Sequence, residues 1–487
     1  MNKNIAYFVT VCPAHPVLSN LSYFSHISYL PGQVVPVKIG TENFPGLVLD
    51  VTDLKQAKQQ IRTLGFTLKK LACRPTGLVV AHKLIKVVEN LSNYYMLNMA
   101  QILNLVLPSL DKIKVFKIHT RNVQCRTSSD VKNLCLLTAQ IDSILISGRP
   151  GSYRPVREPS IDLREYVKAF AEYKGAKYQE RREGDSSLAE IEIITVGGKT
   201  IFSPELVGMI RKAASEDASM FLAVARRGFA TFTICSDCGE LLSCKNCKAP
   251  LVLRQTRKEK FYKCNHCGKR EDVRIKCYNC DSWKLAALGI GTERVKDELA
   301  NIVGRKLGSK IKIGTLSDIS KIREHVNCSA VVSIDSLFSL PDFNMREKIF
   351  YDLMALREVT SSRVLVQTKH KRETVFDFVE KADVEGFRQD EMARRRALSY
   401  PPFSVFIKIT HKGTDGERDK FVSFAKELLK DYNPIITDAF IPIVAGKFLT
   451  HAILRLPTGT WPNESLRKKL ELIQDMATIS VDPENLL

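Results

Sequence analysis

The chain has 487 residues, more than one hydrophobic core usually organises, so three or more domains are expected. Its composition, with 44% apolar and 26% charged residues, is typical of a soluble globular protein. The 73 Lys and Arg outnumber the 53 Asp and Glu, and the net charge of +20 favours a polyanion partner, with DNA and RNA the leading candidates. The sequence shows neither a secretory signal nor an apolar run long enough to span a bilayer, which argues against a secreted or integral membrane protein.

The first 60 residues predict an all-β segment. Residues 5–11 alternate weakly between apolar and polar side chains, and the apolar runs 34–39 and 47–49 are typical of strands. The Gly- and Pro-containing residues 40–46 between these runs predict a loop.

The rest of the chain predicts helices and then an α/β arrangement. Apolar residues recur at helical spacing over residues 80–108, where Pro108 ends the pattern. A helix is expected from Pro204, and the residues from 400 onwards have an α+β pattern. Apolar runs that are typical of strands occur at 191–196, 221–224, 330–334 and 364–367.

Eight of the thirteen cysteines form four Cys-x-x-Cys pairs: Cys235/Cys238, Cys244/Cys247, Cys264/Cys267 and Cys277/Cys280. Two thiolates at this spacing can bind one tetrahedral ion, and eight thiolates complete two four-sulfur sites with no position left for a catalytic water. The pattern predicts two structural zinc ions; disulfides and redox chemistry are the alternatives. The other five cysteines are scattered singly, as free thiols in a reducing cytosol would be, so a cytoplasmic location is expected.

Basic residues surround the cysteine pairs. Seven of them lie on the cysteine knuckles and on the hairpin between them: Lys245, Lys248, Arg254, Arg257, Lys258, Lys260 and Lys263. They would either contact nucleic-acid phosphates or form a solvated basic surface that keeps a metal-rich module soluble, and the sequence leaves both interpretations open.

The cysteine pairs and their surroundings resemble the PriA family (primosomal protein N′), the bacterial replication-restart helicases. Segments 34–48 and 91–108 resemble the N-terminal DNA-binding and winged-helix domains of that family. The other segments that carry the resemblance are 203–206, 226–229, 288–295, Pro341-Asp342-Phe343, 400–403 and 480–486.

The resemblance implies a multidomain protein of α/β and α+β class, with two truncated RecA-like helicase lobes. The implied domains are a small N-terminal β DNA-binding domain (1–60), a winged-helix-like domain (61–110), a truncated first helicase lobe (111–202), the remnant of a second lobe (203–234 and 286–400), an inserted two-zinc module (235–285) and a C-terminal α+β domain (401–487). In the family, the first and fourth cysteine pairs share one zinc and the inner pairs share the other. The implied ligands are Cys235, Cys238, Cys277 and Cys280 for the first zinc, and Cys244, Cys247, Cys264 and Cys267 for the second.

The segments that would form the helicase motor differ from the family pattern. Gly198-Lys199-Thr200 resembles the end of a P-loop, but Ile193 stands where the loop needs its first glycine. Residues 162–167 keep one carboxylate of the expected acidic box, and residues 355–363 replace the expected arginine motif. Because phosphoryl transfer depends on charges placed around the γ-phosphate, we expect no catalytic residue, no ATP hydrolysis and no unwinding.

The resemblance also implies a pocket in the N-terminal domain that holds the 3′ end of a nascent strand. The family uses an aspartate there, and residues 16–23 of this chain contain none. Tyr23 is nevertheless positioned in this segment to stack on a base.

The leading hypothesis is a replication-restart protein that binds forked and single-stranded DNA and scaffolds primosome assembly without helicase activity. The implied partners are single-stranded DNA-binding protein, primosome proteins, and the replicative helicase or its loader. The alternatives are an ATP-dependent 3′–5′ helicase with unrecognised motifs, a zinc-containing RNA- or protein-binding module outside replication, and a remnant without activity.

Overall fold

The computed structural model describes residues 6–62, 67–110, 122–125, 131, 134, 143–146, 163–180, 188–196, 201–225, 232–235, 237–238, 242–245, 251–255, 260–264, 269–288, 292–304, 310–322, 324–338, 342–444 and 447–486. The chain divides into two compact units. The first comprises Met1–Arg181, Gly459–Arg467 and Ser480–Asp482, and the second comprises Arg182–Thr458, Lys468–Ile479 and Pro483–Leu487. No helix in the described ranges has the length and apolar character required to cross a membrane.

The first unit begins with a five-stranded sheet. Its elements are β1 (Tyr7–Pro13), β2 (Leu21–Ser25), β3 (Val34–Ile39), β4 (Glu42–Asp53), the short helix α1 (Lys58–Arg62) and β5 (Lys69–Lys70). The strand order is β3-β4-β1-β2-β5, and neighbours are antiparallel except β2 and β5, which are parallel. Alternate residues of the strands form one core, with Val9, Val11, Val35, Val37 and Val48 buried. The predicted N-terminal β structure is confirmed.

The predicted loop over residues 40–46 is wrong, because only two residues separate β3 from β4. Pro45, which suggested a loop, lies within β4 and pairs in register with Pro36. Gly46 permits a close approach of strands, since a Cβ at this position would lie 2.5 Å from a methyl group of Val37. The Pro-Gly pair therefore marks tight packing inside a strand.

The predicted helical segment 80–108 contains a break. Its two helices are α2 (His82–Tyr95) and α3 (Met99–Val106). Met96 adopts a left-handed conformation with φ 55° and ends α2. Asn98 then caps α3: its side chain accepts a hydrogen bond from Gln101 N–H, and the Gln101 side chain accepts one from Asn98 N–H, both at 2.9 Å. The apolar spacing continues on both sides of the break, so the pattern alone did not reveal it.

The first unit also contains a small parallel sheet. Its elements are β6 (Asn122–Cys125), β7 (Ser143–Ile146), α4 (Arg164–Lys174) and β8 (Lys177–Glu180). The strands are ordered β6-β7-β8 and both pairs are parallel. An exposed ion pair joins α2 to α4, with Lys83 Nζ 2.8 Å from Glu172.

The elements from residue 188 onwards are β9 (Glu190–Thr195), α5 (Pro204–Ser215), β10 (Met220–Val224), β11 (Phe232–Cys235), β12 (Leu251–Gln255), β13 (Lys260–Cys264), β14 (Arg270–Asp272), β15 (Leu285–Leu288), α6 (Thr292–Val303), β16 (Ile311–Thr315), β17 (Val326–Val331), α7 (Asp335–Phe338), α8 (Met345–Glu358), β18 (Thr360–Thr368), α9 (Val375–Lys381), α10 (Val384–Ala397), β19 (Ser404–Gly413), α11 (Asp415–Leu428), β20 (Ile435–Val444), β21 (Lys447–Pro457), α12 (Glu464–Glu471) and β22 (Ala477–Val481).

A parallel sheet with helices on both faces forms the centre of the second unit. The strand order is β16-β10-β17-β18-β9, and every neighbouring pair is parallel. All five residues of the inner strand β10 are buried. Phe221 and Ala223 pack in a core with α8, α9 and α10, whereas Met220, Leu222 and Val224 pack in a core with α5 and α6. Burial of both faces explains the continuous apolar run, and the predicted α/β pattern is confirmed.

Two further groups of strands follow β10 along the chain. Between β10 and α6, the cysteine-containing segment forms the antiparallel pair β11-β15 and the antiparallel sheet β12-β13-β14. Towards the end of the chain, β19 to β22 form a sheet in the order β20-β21-β19-β22.

Candidate nucleic-acid interface and metal centre

A groove of about 680 Å³ lies beside the N-terminal sheet, and we refer to it as the lysine groove. Its polar lining consists of Tyr23, Lys38, Asn43, Lys69, Lys70 and Thr76. Its apolar lining includes Pro36, Val37 and Leu71. The volume falls in the range of small-ligand sites, so the groove can hold a nucleotide-sized group.

The sheet positions the cationic residues of the groove. The parallel pairing of β2 with β5 places Tyr23 opposite Lys69, and β3 contributes Lys38. Lys38, Lys69 and Lys70 are all exposed, and none of the three forms an ion pair with a described residue. The described lining contains no carboxylate. The groove therefore concentrates positive charge where an anion such as a phosphate can enter.

Tyr23 supplies an aromatic surface within this groove. Its side chain is half-buried and packs against the core of the sheet. Burial raises its pKa, and the nearby Cys73 raises it further, so the phenol stays neutral. A neutral ring beside lysines is suited to stacking on a nucleic-acid base.

The wall of the groove behind Tyr23 is held by hydrogen bonds. Cys73 Sγ donates to the carbonyl oxygen of Pro36 at 3.3 Å, and burial raises the pKa of this thiol. The hydroxyl of Tyr29 donates to the carbonyl oxygen of Cys73 at 2.6 Å, and burial raises the pKa of Tyr29 to about 12. Cys73 therefore forms part of the groove wall, and burial disfavours its thiolate form.

A second candidate site is a cluster of four cysteines in the second unit. The Sγ atoms of Cys235, Cys238, Cys277 and Cys280 all lie within 4.8 Å of one another. The Cys235–Cys280 and Cys238–Cys277 sulfur distances are 3.5 and 3.6 Å. A tetrahedral zinc with bonds of about 2.3 Å requires sulfur atoms about 3.8 Å apart, so the cluster could bind one metal ion.

The local fold brings the two cysteine knuckles of this cluster together. Cys235 ends β11, which pairs with β15. In the second knuckle, Cys277 N–H donates to the carbonyl oxygen of Ser282 at 2.7 Å. Asp237 of the first knuckle accepts a hydrogen bond from Ser282 Oγ at 2.8 Å and lies 3.1 Å from Lys284 Nζ. These bonds cross-link the knuckles beside the cysteines.

Two thiols of the cluster, those of Cys235 and Cys280, differ in acidity. The backbone N–H of Cys238 lowers the pKa of Cys235 to about 6. For Cys280, the N–H of Ser282 favours the thiolate, but hydrogen bonds shared with Cys238 and Cys235 outweigh it and raise the pKa to about 12. Four thiolates at these distances repel one another, so a bound cation is what would allow all four to ionise.

The structure describes only part of the second predicted ligand set. Cys244 and Cys264 are buried in a small core with Leu242, Leu251 and Tyr262. Cys247 and Cys267 lie outside the described residues, so the second zinc site stays a prediction.

The predicted basic contacts are also described in part. Lys245 is exposed and its Nζ lies 4.7 Å from the centre of the Tyr278 ring. Lys260 is exposed and Lys263 is half-buried. The side chains that lie outside the described residues are those of Lys248, Arg254, Arg257 and Lys258.

Sequence reasoning missed two sets of surface residues. The sequence does not indicate that Lys38, Lys69 and Lys70 form one site, because they come together only through strand pairing. Trp283 is 82% exposed, more than any other large apolar side chain in the described ranges. Trp283 was predictable as a surface contact residue from the sequence, because it is an aromatic residue that follows a cysteine knuckle in a basic segment.

Comparison with known proteins gives a family match for the part of the chain that contains the lysine groove. Residues 10–108 match the family described as 3′DNA-binding domain (3′BD) of PriA, and Tyr23, Lys38, Lys69 and Lys70 all fall within this range. The chain resembles PriA. Replication restart protein PriA of Bacillus subtilis is 24% identical over 59% of this chain and 41% of its own length. The corresponding protein of Treponema pallidum is 24% identical over 61% and 51%, and that of Thermotoga maritima is 23% identical over 63% and 46%. The chain spans about half the length of these relatives.

Proposed function

We propose that this chain is a replication restart protein that binds branched DNA at stalled forks and scaffolds primosome assembly. The observation that carries the proposal is the lysine groove, which lies within the residues that match a 3′DNA-binding domain. Three lysines and a half-buried tyrosine supply phosphate contacts and a stacking surface for a strand end.

The proposed domains follow the order of the PriA family. The β domain (1–60) and a winged-helix-like domain (61–110) bind DNA. Truncated helicase lobes follow at 111–202 and at 203–234 with 286–400, and a C-terminal domain occupies 401–487. The parallel sheets at β6-β7-β8 and around β10 support the assignment of the two lobes.

We propose that the inserted module (235–285) holds two structural zinc ions, one on the described cluster and one on Cys244, Cys247, Cys264 and Cys267. Each ion closes a short loop that has little apolar core of its own, so metal binding stabilises the module. Lys245, Lys260 and Trp283 are exposed side chains of this module, and we propose that they contact single strands, since cations contact phosphates and aromatic rings stack on bases.

The chain is proposed to act without hydrolysing ATP. Its sequence has no P-loop lysine in a complete motif, one carboxylate in place of the acidic box, and no arginine motif after Phe343. Removing these charges together removes the electrostatic stabilisation of phosphoryl transfer.

A scaffold of this kind works through partners. The proposed partners are forked and single-stranded DNA, single-stranded DNA-binding protein, primosome proteins, and the replicative helicase or its loader. We propose a cytoplasmic location, which matches the family role and the scattered single cysteines.

Binding of the zinc-loaded protein to four matched ligands tests the proposal. A three-way forked DNA, a duplex, a single strand and a structured RNA are compared at one salt concentration, because non-specific affinity depends steeply on salt. The fork is expected to bind about tenfold or more tighter than the duplex. Equal affinity for all four ligands would contradict a role at forks, and preference for the RNA would move the protein out of replication restart.

A further inference from the structure

We infer that the strand pair β20-β21 is the docking site of the inserted module (235–285), and that metal binding by the module stabilises this docking. The contact is made by Phe448 of β21, which packs against the small core of the module. The partner that the module recognises is thus another segment of the same chain. The inference rests on the proposed metal binding and goes beyond it, because it assigns to the metal an effect outside the module.

The inserted module has little apolar core of its own. Its described part contains one small cluster, which we refer to as the module core, and five of the residues in that cluster are buried. They are Leu242, Cys244, Leu251, Tyr262 and Cys264. A core of this size rarely stabilises a fold without a metal ion or a packing partner. An aromatic ring supplied from outside the module is therefore expected to matter for its stability.

The C-terminal sheet presents the ring of Phe448 to the module core. Phe448 is half-buried, and it pairs with Gly413 of β19 and with Ile443 of β20. Arg418 of α11 lies over the ring, with its Cζ 4.8 Å from the ring centre, and Arg418 in turn lies 3.0 Å from Asp415. Strand pairing and this cation–π contact hold the ring in place, so the docking surface is ordered by the sheet.

The same module core contacts residues that flank the four-cysteine cluster. Leu285 and Ile275 both pack against it. Leu285 is paired with Cys235 across β11 and β15, and Ile275 precedes Cys277 by two residues. Residues beside the cluster and Phe448 therefore pack on one core. This shared core is the physical connection between the metal ligands and the C-terminal sheet.

The connection predicts coupling in both directions. A bound ion fixes the two knuckles and, through Leu285 and Ile275, the module core against which Phe448 packs. Metal binding should therefore favour the docked arrangement of β20 and β21. Because a coupling free energy between two sites is reciprocal, packing by Phe448 should also raise the affinity of the module for the metal.

The first test measures zinc affinity with the full zinc-loaded chain. A chelator is added in increasing concentration, and the zinc that stays bound is determined. Phe448→Ala should lower the chelator concentration at half-release about tenfold, because it removes a partly buried aromatic side chain from the module core. Phe448→Leu keeps an apolar contact and should restore most of the affinity.

The matched control is Phe424→Ala. Phe424 lies on α11, is 38% exposed, and is not among the described residues that pack against the module core. Its replacement should leave the chelator concentration at half-release unchanged. Circular dichroism of each variant checks that the substitution leaves the fold intact.

The second test measures amide hydrogen exchange with zinc bound and after its removal. Removal of zinc should speed exchange at residues 447–449, where β21 meets the module. Exchange at Ala452, Leu454 and Leu456 should change less, because these residues are buried farther along the same strand.

The outcomes separate this inference from the proposed function. Equal half-release in the wild-type protein and Phe448→Ala overturns the inference and leaves the proposed metal binding intact, and so does an equal shift in Phe424→Ala. A uniform rise in exchange across the second unit after zinc removal also overturns it, because the metal would then support the whole unit. A wild-type protein that binds no zinc overturns the proposed metal centre as well.

Discussion

Glu391 is the centre of a buried ionic network in the second unit. Its carboxylate lies 3.0 Å from Arg346 and 2.9 Å from Arg395, and all three side chains are nearly inaccessible to solvent. Arg395 also lies 2.8 Å from Glu347, and Arg346 stacks against the ring of Phe387. Each charge is satisfied by a partner, so the network tolerates burial.

Replacing Glu391 by Gln should strongly destabilise the second unit. The change leaves two buried guanidinium groups without their shared carboxylate, which costs about 3 kcal/mol of unfolding free energy. Glu385→Gln on the same helix is the control, because its pair with Arg388 is exposed and contributes less than about 1 kcal/mol. Denaturant unfolding compares the two, and equal destabilisation would contradict this account of the network.

His451 is a buried histidine with a depressed pKa. It lies on β21 and is 3% exposed, and its Nδ1 is 3.1 Å from Thr410 Oγ1. Burial lowers its pKa to about 4, Lys408 lowers it further, and Asp438 opposes the shift. The folded chain therefore holds this ring neutral, whereas the unfolded chain binds a proton at an ordinary histidine pKa of about 6.5.

This difference predicts acid sensitivity with a definite sign. Between pH 6.5 and 4 the unfolded state binds more protons at His451 than the folded state does. The free energy of unfolding is therefore undiminished by His451 above pH 6.5 and decreases as the pH falls towards 4. This difference in pKa between the folded and unfolded states corresponds to a loss of about 3 kcal/mol of unfolding free energy. His451→Gln should show a shallower loss of unfolding free energy over this range. Parallel pH profiles for the two proteins would exclude His451 as the cause.

The cysteine knuckles and their short strands depend on the proposed metal. Cys280→Ser removes one ligand of the described cluster, and the protein should then retain one zinc per chain in place of two. Cys328→Ser is the control, because Cys328 lies on β17 outside the cluster and should leave both ions bound. Metal analysis after dialysis measures the ratio. Two retained ions in Cys280→Ser would contradict the assignment of this ligand set.

The elements differ in how far sequence could predict them. The buried strand β10 follows from its apolar run, and the break at Asn98 was recognisable only from its cap with Gln101. β5 has two residues, both lysine, and no alternation, so only its pairing with β2 reveals it. The lysine groove could not be predicted from sequence for the same reason, because the pairing of β5 with β2 brings Lys69 beside Tyr23. The cysteine cluster was visible because ligand spacing is local, even though the knuckles meet through the pairing of β11 with β15.

At the scale of the whole molecule, the net charge of +20 acts on every nucleic acid. This charge attracts any polyanion, so affinity alone does not identify the ligand. The ratio of the affinities for forked DNA and for other nucleic acids, measured at one salt concentration, is required. We propose that selectivity for forks comes from the lysine groove in the first unit, and that the chain does not turn over ATP.

The most direct test of this account measures fork binding and ATP turnover in the same tube. The zinc-loaded protein is titrated with three-way forked DNA while phosphate release is recorded, with duplex and single strand as references. We predict fork-selective binding and no hydrolysis above the protein-free rate at saturating fork. Hydrolysis that rises with bound fork would contradict the central claim, since it would require a working motor in this chain.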